Sequence, residues 1–243
     1  MKPFVLLSIR AEPLAAVDEH EAFARFLGVE ASGLERIELG LTPLDLDLDA
    51  YSGVLLGGGS FTYSDDPATK SERQVRAESD VFALLDDVVA QDFPFLGACY
   101  GIGTLGTHQG GVVDTTYPEA VGPLSVTLTE AGSHDPLMAG LPNEFAAYGG
   151  HKEALTTAPS HSVALATSAA CPVQAFRVGE NVYATQFHPE LDLAGLATRI
   201  EAYATFGYFE PSQAAALRAA AAHVDVRHPA RILANFAARY SLG

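Results

Sequence analysis

The sequence predicts an α/β fold: a mainly parallel central sheet with helices on both faces, extended by a mixed or antiparallel part. Two observations carry this. Strand-like and helix-like segments alternate through the first half in the order β-α-β-β-α-β-α, the pattern of a parallel sheet covered on both sides. From Leu124 to Gln186 the texture changes to short apolar strands separated by Gly, Pro and Asn, as in antiparallel or mixed sheet. There is no internal repeat and no linker long enough to divide the chain, so residues 1–243 are expected to form a single domain.

Taken in order, Pro3 to Ile9 reads as the first strand. Leu14 to Leu27 has apolar residues at 14, 17, 23, 26 and 27 and is expected to be a helix stopped by Gly28. Leu34 to Leu39 is a second strand, and Asp45, Asp47 and Asp49 belong to a connecting loop, since nothing nearby completes an oxygen cage for a metal. Gly53 to Gly57 is a buried strand that runs into Gly58, Gly59 and Ser60. Ser71 to Gln91 should be a helix with Ser71 as N-cap and Val75, Phe82, Leu85 and Val89 on its apolar face. The run Phe93, Phe95, Leu96 is the next strand, followed by a short helix over Ile102 to Gln109 that stops at Gly110 and Gly111. Phe176 to Tyr183 reads as a hairpin turning at Gly179, Glu180 and Asn181. Leu193 to Phe206, Ser212 to His223 and Ala230 to Tyr240 are read as helices, the Ala-rich middle one suited to cover a sheet edge or meet a partner.

The composition narrows the function. With 48% hydrophobic and 18% charged residues the chain can bury a real core. Its 14 basic and 30 acidic side chains give a formal charge of −16, which repels phosphate backbones and argues against nucleic-acid binding. No apolar run approaches the ~18 residues of a membrane span. The opening MKPFVLLSIRAEP is too short for a secretory signal, so a cytoplasmic protein without membrane attachment is expected. The two cysteines, Cys99 and Cys171, are then expected to be reduced, and two cysteines do not make a zinc site. The reading calls for no metal and no cofactor.

The chemistry centres on PFLGACYGIG, Pro94 to Gly103. Gly97 and Gly101 bracket Cys99, as a sharp strand-to-helix turn requires when it thrusts out a nucleophile. Such turns lie at the carboxyl edge of a parallel sheet, where ligands bind. A thiol ionises near ~8.5 and needs a base to become a nucleophile, and the base needs a third group to orient it. Gln186 to Glu190 (QFHPE) supplies both in His188 and Glu190, which point the same way at the end of a strand. An oxyanion hole requires inward N–H groups. Tyr100 at the start of the following helix and the Gly58-Gly59 turn, chiefly Gly59, are the candidates, glycine being expected there for an unusual φ.

GACYG, QFHPE about ninety residues later and a GG turn about forty residues before the cysteine together resemble the class I (triad) glutamine amidotransferases. Within that family the likeness is to stand-alone members similar to the amidotransferase domain of GMP synthase. The resemblance implies a flavodoxin-like fold and a Cys-His-Glu triad at Cys99, His188 and Glu190. It implies hydrolysis of the glutamine side-chain amide through a γ-glutamyl thioester, and release of ammonia to a separate synthetase. It also implies a substrate-pocket place for His151, in Tyr148-Gly-Gly-His-Lys-Glu153. One position departs: the family reads G-x-C-x-G-x-Q, its Gln helping to hold the substrate, and this chain has Gly103 there. Two alternatives therefore stay open. One is a γ-glutamyl hydrolase acting on another γ-glutamyl amide or peptide. The other is a catalytically silent scaffold that keeps the fold and binds a ligand or partner.

Overall fold

The computed structural model describes residues 2–241. Eleven strands and seven α-helices are present among them. The first half runs β1 (Phe4–Ser8), α1 (Pro13–Leu27), β2 (Leu34–Glu38), β3 (Gly53–Leu56), α2 (Glu72–Ala90), β4 (Phe95–Ala98) and α3 (Tyr100–His108), the alternation that the sequence predicts. The second half holds β5 (Val112–Asp114), β6 (Glu119–Leu128), α4 (Glu130–His134), β7 (Glu144–His151), β8 (Ala154–Thr157), β9 (Val163–Thr167), β10 (Ala175–Val178) and β11 (Val182–Thr185). It closes with α5 (Leu193–Ala202), α6 (Ala214–Ala221) and α7 (Ala230–Tyr240).

Nine strands form one sheet in the order β2-β1-β3-β4-β11-β10-β9-β6-β7. From β2 to β11 all neighbours are parallel, and from β11 to β7 all are antiparallel. β11 is the join: it lies parallel to β4 on one side and forms the expected hairpin with β10 on the other. β5 and β8 form a separate antiparallel pair that the sequence does not signal, each strand being too short to show a period.

The central strands are buried on both faces, so they read as continuous apolar runs. Along β1, Phe4 and Leu6 enter a core under α1 and α7, while Val5 and Leu7 enter another under α2 and α3. Gly28 ends α1 at φ 73, a left-handed cap open to glycine without penalty. Ser71 caps α2 by accepting from the Gln74 amide at 3.1 Å.

The apolar faces differ from those expected. On α1 the buried side is Ala15, Ala16, Ala22, Phe23, Ala24 and Leu27, while Leu14 and Val17 are 77% and 50% exposed. Small alanines let α5 and α7 approach, and the bulkier aliphatics are turned out. On α2 the buried stripe is Ala77, Val81, Leu84, Leu85 and Val88, and Val75 is 51% exposed. α5 stops at Ala202, four residues before the expected end, and a 3-10 turn (Pro211–Gln213) precedes α6. No described helix is long and apolar enough to cross a membrane.

Phe236 of α7 is fully buried between the rings of Phe4 and Tyr240. Phe236→Ala is expected to destabilise the fold by about 3–5 kcal/mol. Leu14→Ala should change it by less than about 0.5 kcal/mol. Urea unfolding midpoints read both.

Candidate active site

β4 delivers Cys99 to the carboxyl edge of the sheet. Cys99 is half-buried and has φ 55 and ψ −90, a backbone conformation that side chains rarely adopt. The strained turn is held by the Cys99 amide, which donates to Thr185 O at 2.7 Å and so extends the β4–β11 pairing by one step. Gly97 is required by space, since a Cβ on it would stand 2.8 Å from Gly101 Cα, whereas a Cβ on Gly101 would meet Leu56 only at 3.7 Å.

β11 carries the second group. Beyond Thr185 the chain brings His188 back to the edge, where its amide donates to Tyr148 O of β7 at 3.0 Å. Imidazole Nδ1 lies 2.7 Å from Glu190 Oε1, as the i, i+2 spacing predicts. Glu190 has no exposed surface. An ideal Cβ on Gly58 would stand 2.6 Å from His188 Cε1, 3.2 Å from Cys99 Cβ and 3.4 Å from Arg10 Nη2. Three reactive or charged groups thus converge on the spot that a side chain at residue 58 would fill.

Gly58 and Gly59 do not have the left-handed φ that was expected of them. They are glycines because neighbours press close, Ile9 Cγ1 coming within 2.6 Å of the Cβ position of Gly59. Tyr100 opens α3, where the first amides of a helix have no intrahelical acceptor. Its ring is buried edge-on to Phe61. His151 is not among the residues lining the cleft. Its Nδ1 lies 2.8 Å from Glu153 O and its Nε2 2.8 Å from Glu119 Oε2, while its neighbours Gly149 and Gly150 do line the cleft. Glu119, His151 and Cys171 come close enough to suggest a metal site. Glu119, however, already accepts from Ser168 and Gln174, and burial pushes the Cys171 thiol up to about 11.

Sequence reasoning missed the charges behind the site. Arg10, just past β1, donates from Nε to Glu19 Oε1 at 2.6 Å and from Nη1 to Tyr203 at 2.8 Å. Glu19 also accepts from Ser8, and its carboxylate occupies the space left by Gly57. Arg199 of α5 donates to Asp18 at 3.0 Å and lies 3.9 Å from Glu190 Oε1. Arg10 and Glu19 stand nine residues apart near a strand-helix junction, a spacing that singles out no pairing. Also missed is the segment after α5. Tyr203, Tyr208 and Phe209 line the cleft, and the Tyr208 hydroxyl donates to Gly59 O at 3.2 Å. Reading Leu193 to Phe206 as helix hid this cover, although Gly207, at φ 74, marks the break.

Burial works against charge on both His188 and Glu190, yet each favours the charged form. The Glu190 carboxylate and the neighbouring Cys99 raise His188 from 6.5 to about 9. The imidazole, Arg199 and Arg10 hold Glu190 down at about 2. Arg10 is likewise raised despite its burial, by Glu19, Tyr203 and Glu190.

The family model "Glutamine amidotransferase class-I" matches residues 34–201. The chain belongs to the class I glutamine amidotransferase family. It is 29% identical over 161 residues to a glutamine-hydrolyzing GMP synthase subunit of Thermoplasma acidophilum, spanning 64% of this chain and 73% of that one. The corresponding protein of Thermoplasma volcanium is also 29% identical over 161 residues, 64% of this chain and 72% of that one. The GMP synthase of Exiguobacterium sibiricum matches at 27% identity over 59% of this chain but only 25% of its own length. Among solved structures, a glutamine amidotransferase from Thermotoga maritima has a TM-score of 0.76 at 19% identity, with both chains fully covered. That likeness establishes the fold that the family shares.

Two expectations follow. Gly58→Ala would force the imidazole aside, and iodoacetamide labelling of Cys99 should slow on the order of 10–100-fold with the fold retained. The second concerns pH. His188 is raised, so its contribution to stability is complete below 6.5 and is lost as pH rises through about 9. Glu190→Gln removes the main raising charge. Wild-type stability should therefore fall between pH 6.5 and 9 while the variant stays flat in that window, as read by denaturation at stepped pH.

Proposed function

We propose that this chain hydrolyses the side-chain amide of glutamine through Cys99, His188 and Glu190 and releases ammonia to a separate synthetase. The observation that carries the reading is the 2.7 Å His188–Glu190 contact beside a cysteine held at positive φ on a strand-to-helix turn. Family membership and the glutamine-hydrolyzing GMP synthase relatives support glutamine as the amide and a synthetase as the consumer.

In this mechanism the proton of Cys99 already resides on His188, whose ring favours the charged form, and the sulfur attacks the amide carbon as thiolate. The oxyanion that forms is met by the amides of Gly59 and Tyr100. The imidazolium, steadied by Glu190, returns its proton to the departing nitrogen, and ammonia leaves a γ-glutamyl thioester. His188 then takes a proton from water, hydroxide attacks the thioester, the C–S bond breaks to release glutamate, and the sulfur is left beside the imidazolium as at the start. No metal or cofactor enters. Glu190 serves as orienter because it is buried, ionised and bonded to the far ring nitrogen.

A second reading, a γ-glutamyl hydrolase, is favoured by one feature. A Cβ on Gly103 would stand 3.4 Å from Glu153 Oε1, and that carboxylate accepts from the amides of Tyr63 and Ser64, each at 2.7 Å. Glu153 thus stands beside the position where the G-x-C-x-G-x-Q pattern has its Gln, and no side chain at residue 103 reaches out from α3. Ammonia release from glutamine, measured beside a panel of substituted γ-glutamyl amides, separates the two. Cys99→Ala is expected to lower turnover of the preferred amide on the order of 10⁴-fold or more with the fold unchanged. Full activity in that variant overturns the assignment.

A further inference from the structure

The cleft beside Cys99 and His188 is walled by Leu191, Leu196, Tyr203, Tyr208 and Phe209, and one reachable cation opens into it. Arg10 is 3% exposed, so it is not a surface charge. Two of its nitrogens are fixed, Nε by Glu19 at 2.6 Å and Nη1 by Tyr203 at 2.8 Å. Nη2 has no acceptor among the described residues, and it is not one of the fully enclosed unpartnered atoms. It therefore faces the cleft, 3.4 Å from the point on which His188 and Cys99 also converge. The other arginine of the cleft differs. Arg199 has Nε and Nη2 sealed from solvent, and its Nη1 is committed to Ala15 O and Asp18. Arg10 alone offers a fixed, reachable N–H on a permanent charge.

We propose that Arg10 is the specificity-determining residue of this site, its Nη2 receiving a carboxylate on the substrate. The accepted amides are then those that carry an acid group within a few atoms of the scissile carbonyl. The inference deepens the reading of Cys99 as nucleophile and rests on it. Three physical points converge. An N–H⁺ to carboxylate bond is stronger than a neutral one and strengthens further between apolar walls. Glu19 and Tyr203 fix the guanidinium in advance, so little rotamer freedom is lost on binding. The chain as a whole has a charge of −16, which repels acids, so an acid-bearing substrate needs a local cation at the point of reaction.

The test compares alkylation of Cys99 by iodoacetate and by iodoacetamide, near-isosteric reagents that differ in the carboxylate. Mass spectrometry reads each rate at Cys99, with buried Cys171 as internal control. The ratio of iodoacetate to iodoacetamide rates should fall about tenfold in Arg10→Gln and recover in part in Arg10→Lys. Arg10→Gln leaves buried Glu19 without its 2.6 Å ion-pair partner, so Arg10→Gln with Glu19→Gln is measured too, and it should show the same fall. As a substrate arm, wild type should prefer glutamine over 4-aminobutanamide, which lacks the carboxylate, and Arg10→Gln should lose that preference. Equal slowing of both reagents with the ratio kept, while Cys99 still labels, overturns the role of Arg10 and leaves the triad standing. A Cys99 that reacts with neither reagent in wild type overturns both readings.

Discussion

Glu190 is a carboxylate with no exposed surface, and it stays ionised. Placing a bare charge in a protein interior costs several kcal/mol unless partners surround it. Here the partners come from across the chain: His188 two residues away, Arg199 from α5, and Arg10 from the end of β1. Glu19 on α1 in turn neutralises Arg10 and reaches toward Arg199. The carboxyl end of the sheet is thus held together by a buried set of alternating charges, and the imidazole that faces Cys99 is its outermost member. Removing one member leaves the others uncompensated, so the site and the packing of α1 and α5 depend on the same contacts.

The sheet topology is what permits this assembly. Because β11 lies parallel to β4, both strands end at the same edge, and Cys99 and His188 emerge as neighbours although they lie far apart along the chain. β3 on the other side of β4 brings Gly58 and Gly59 to that edge, and β1 brings Arg10. β7 reaches over from the antiparallel half to fix the His188 amide. The parallel half supplies the elbow and the glycine turn, while the antiparallel half supplies the wall against which the histidine is set.

Much of this was legible from local pattern. The alternation of elements, the elbow glycines and the QFHPE pairing depend on neighbours in sequence, where pleat and turn geometry act directly. The faces of α1 and α2 were less legible. Leu14 and Val75 fit a helical period, but what decides burial is which face the partner helix can approach, and on α1 that face is alanine. Gly58 and Gly59 are deceptive for a similar cause. A glycine in a turn suggests a special φ, but here it marks contact with His188, Cys99 and Ile9, none of them adjacent in sequence.

The sequence by itself determined the fold class, the nucleophile candidate and the His188–Glu190 pair, because each is written in residues a few positions apart whose geometry the backbone dictates. Only the tertiary structure decided the surroundings: Arg10 with one nitrogen open to the cleft, Arg199 sealed beside Glu190, Tyr208 folded over Gly59, and His151 turned to Glu119 instead of the cleft. Such pairings join residues up to 193 positions apart. They are selected by charge compensation in a dry interior, and no local period or motif encodes that selection.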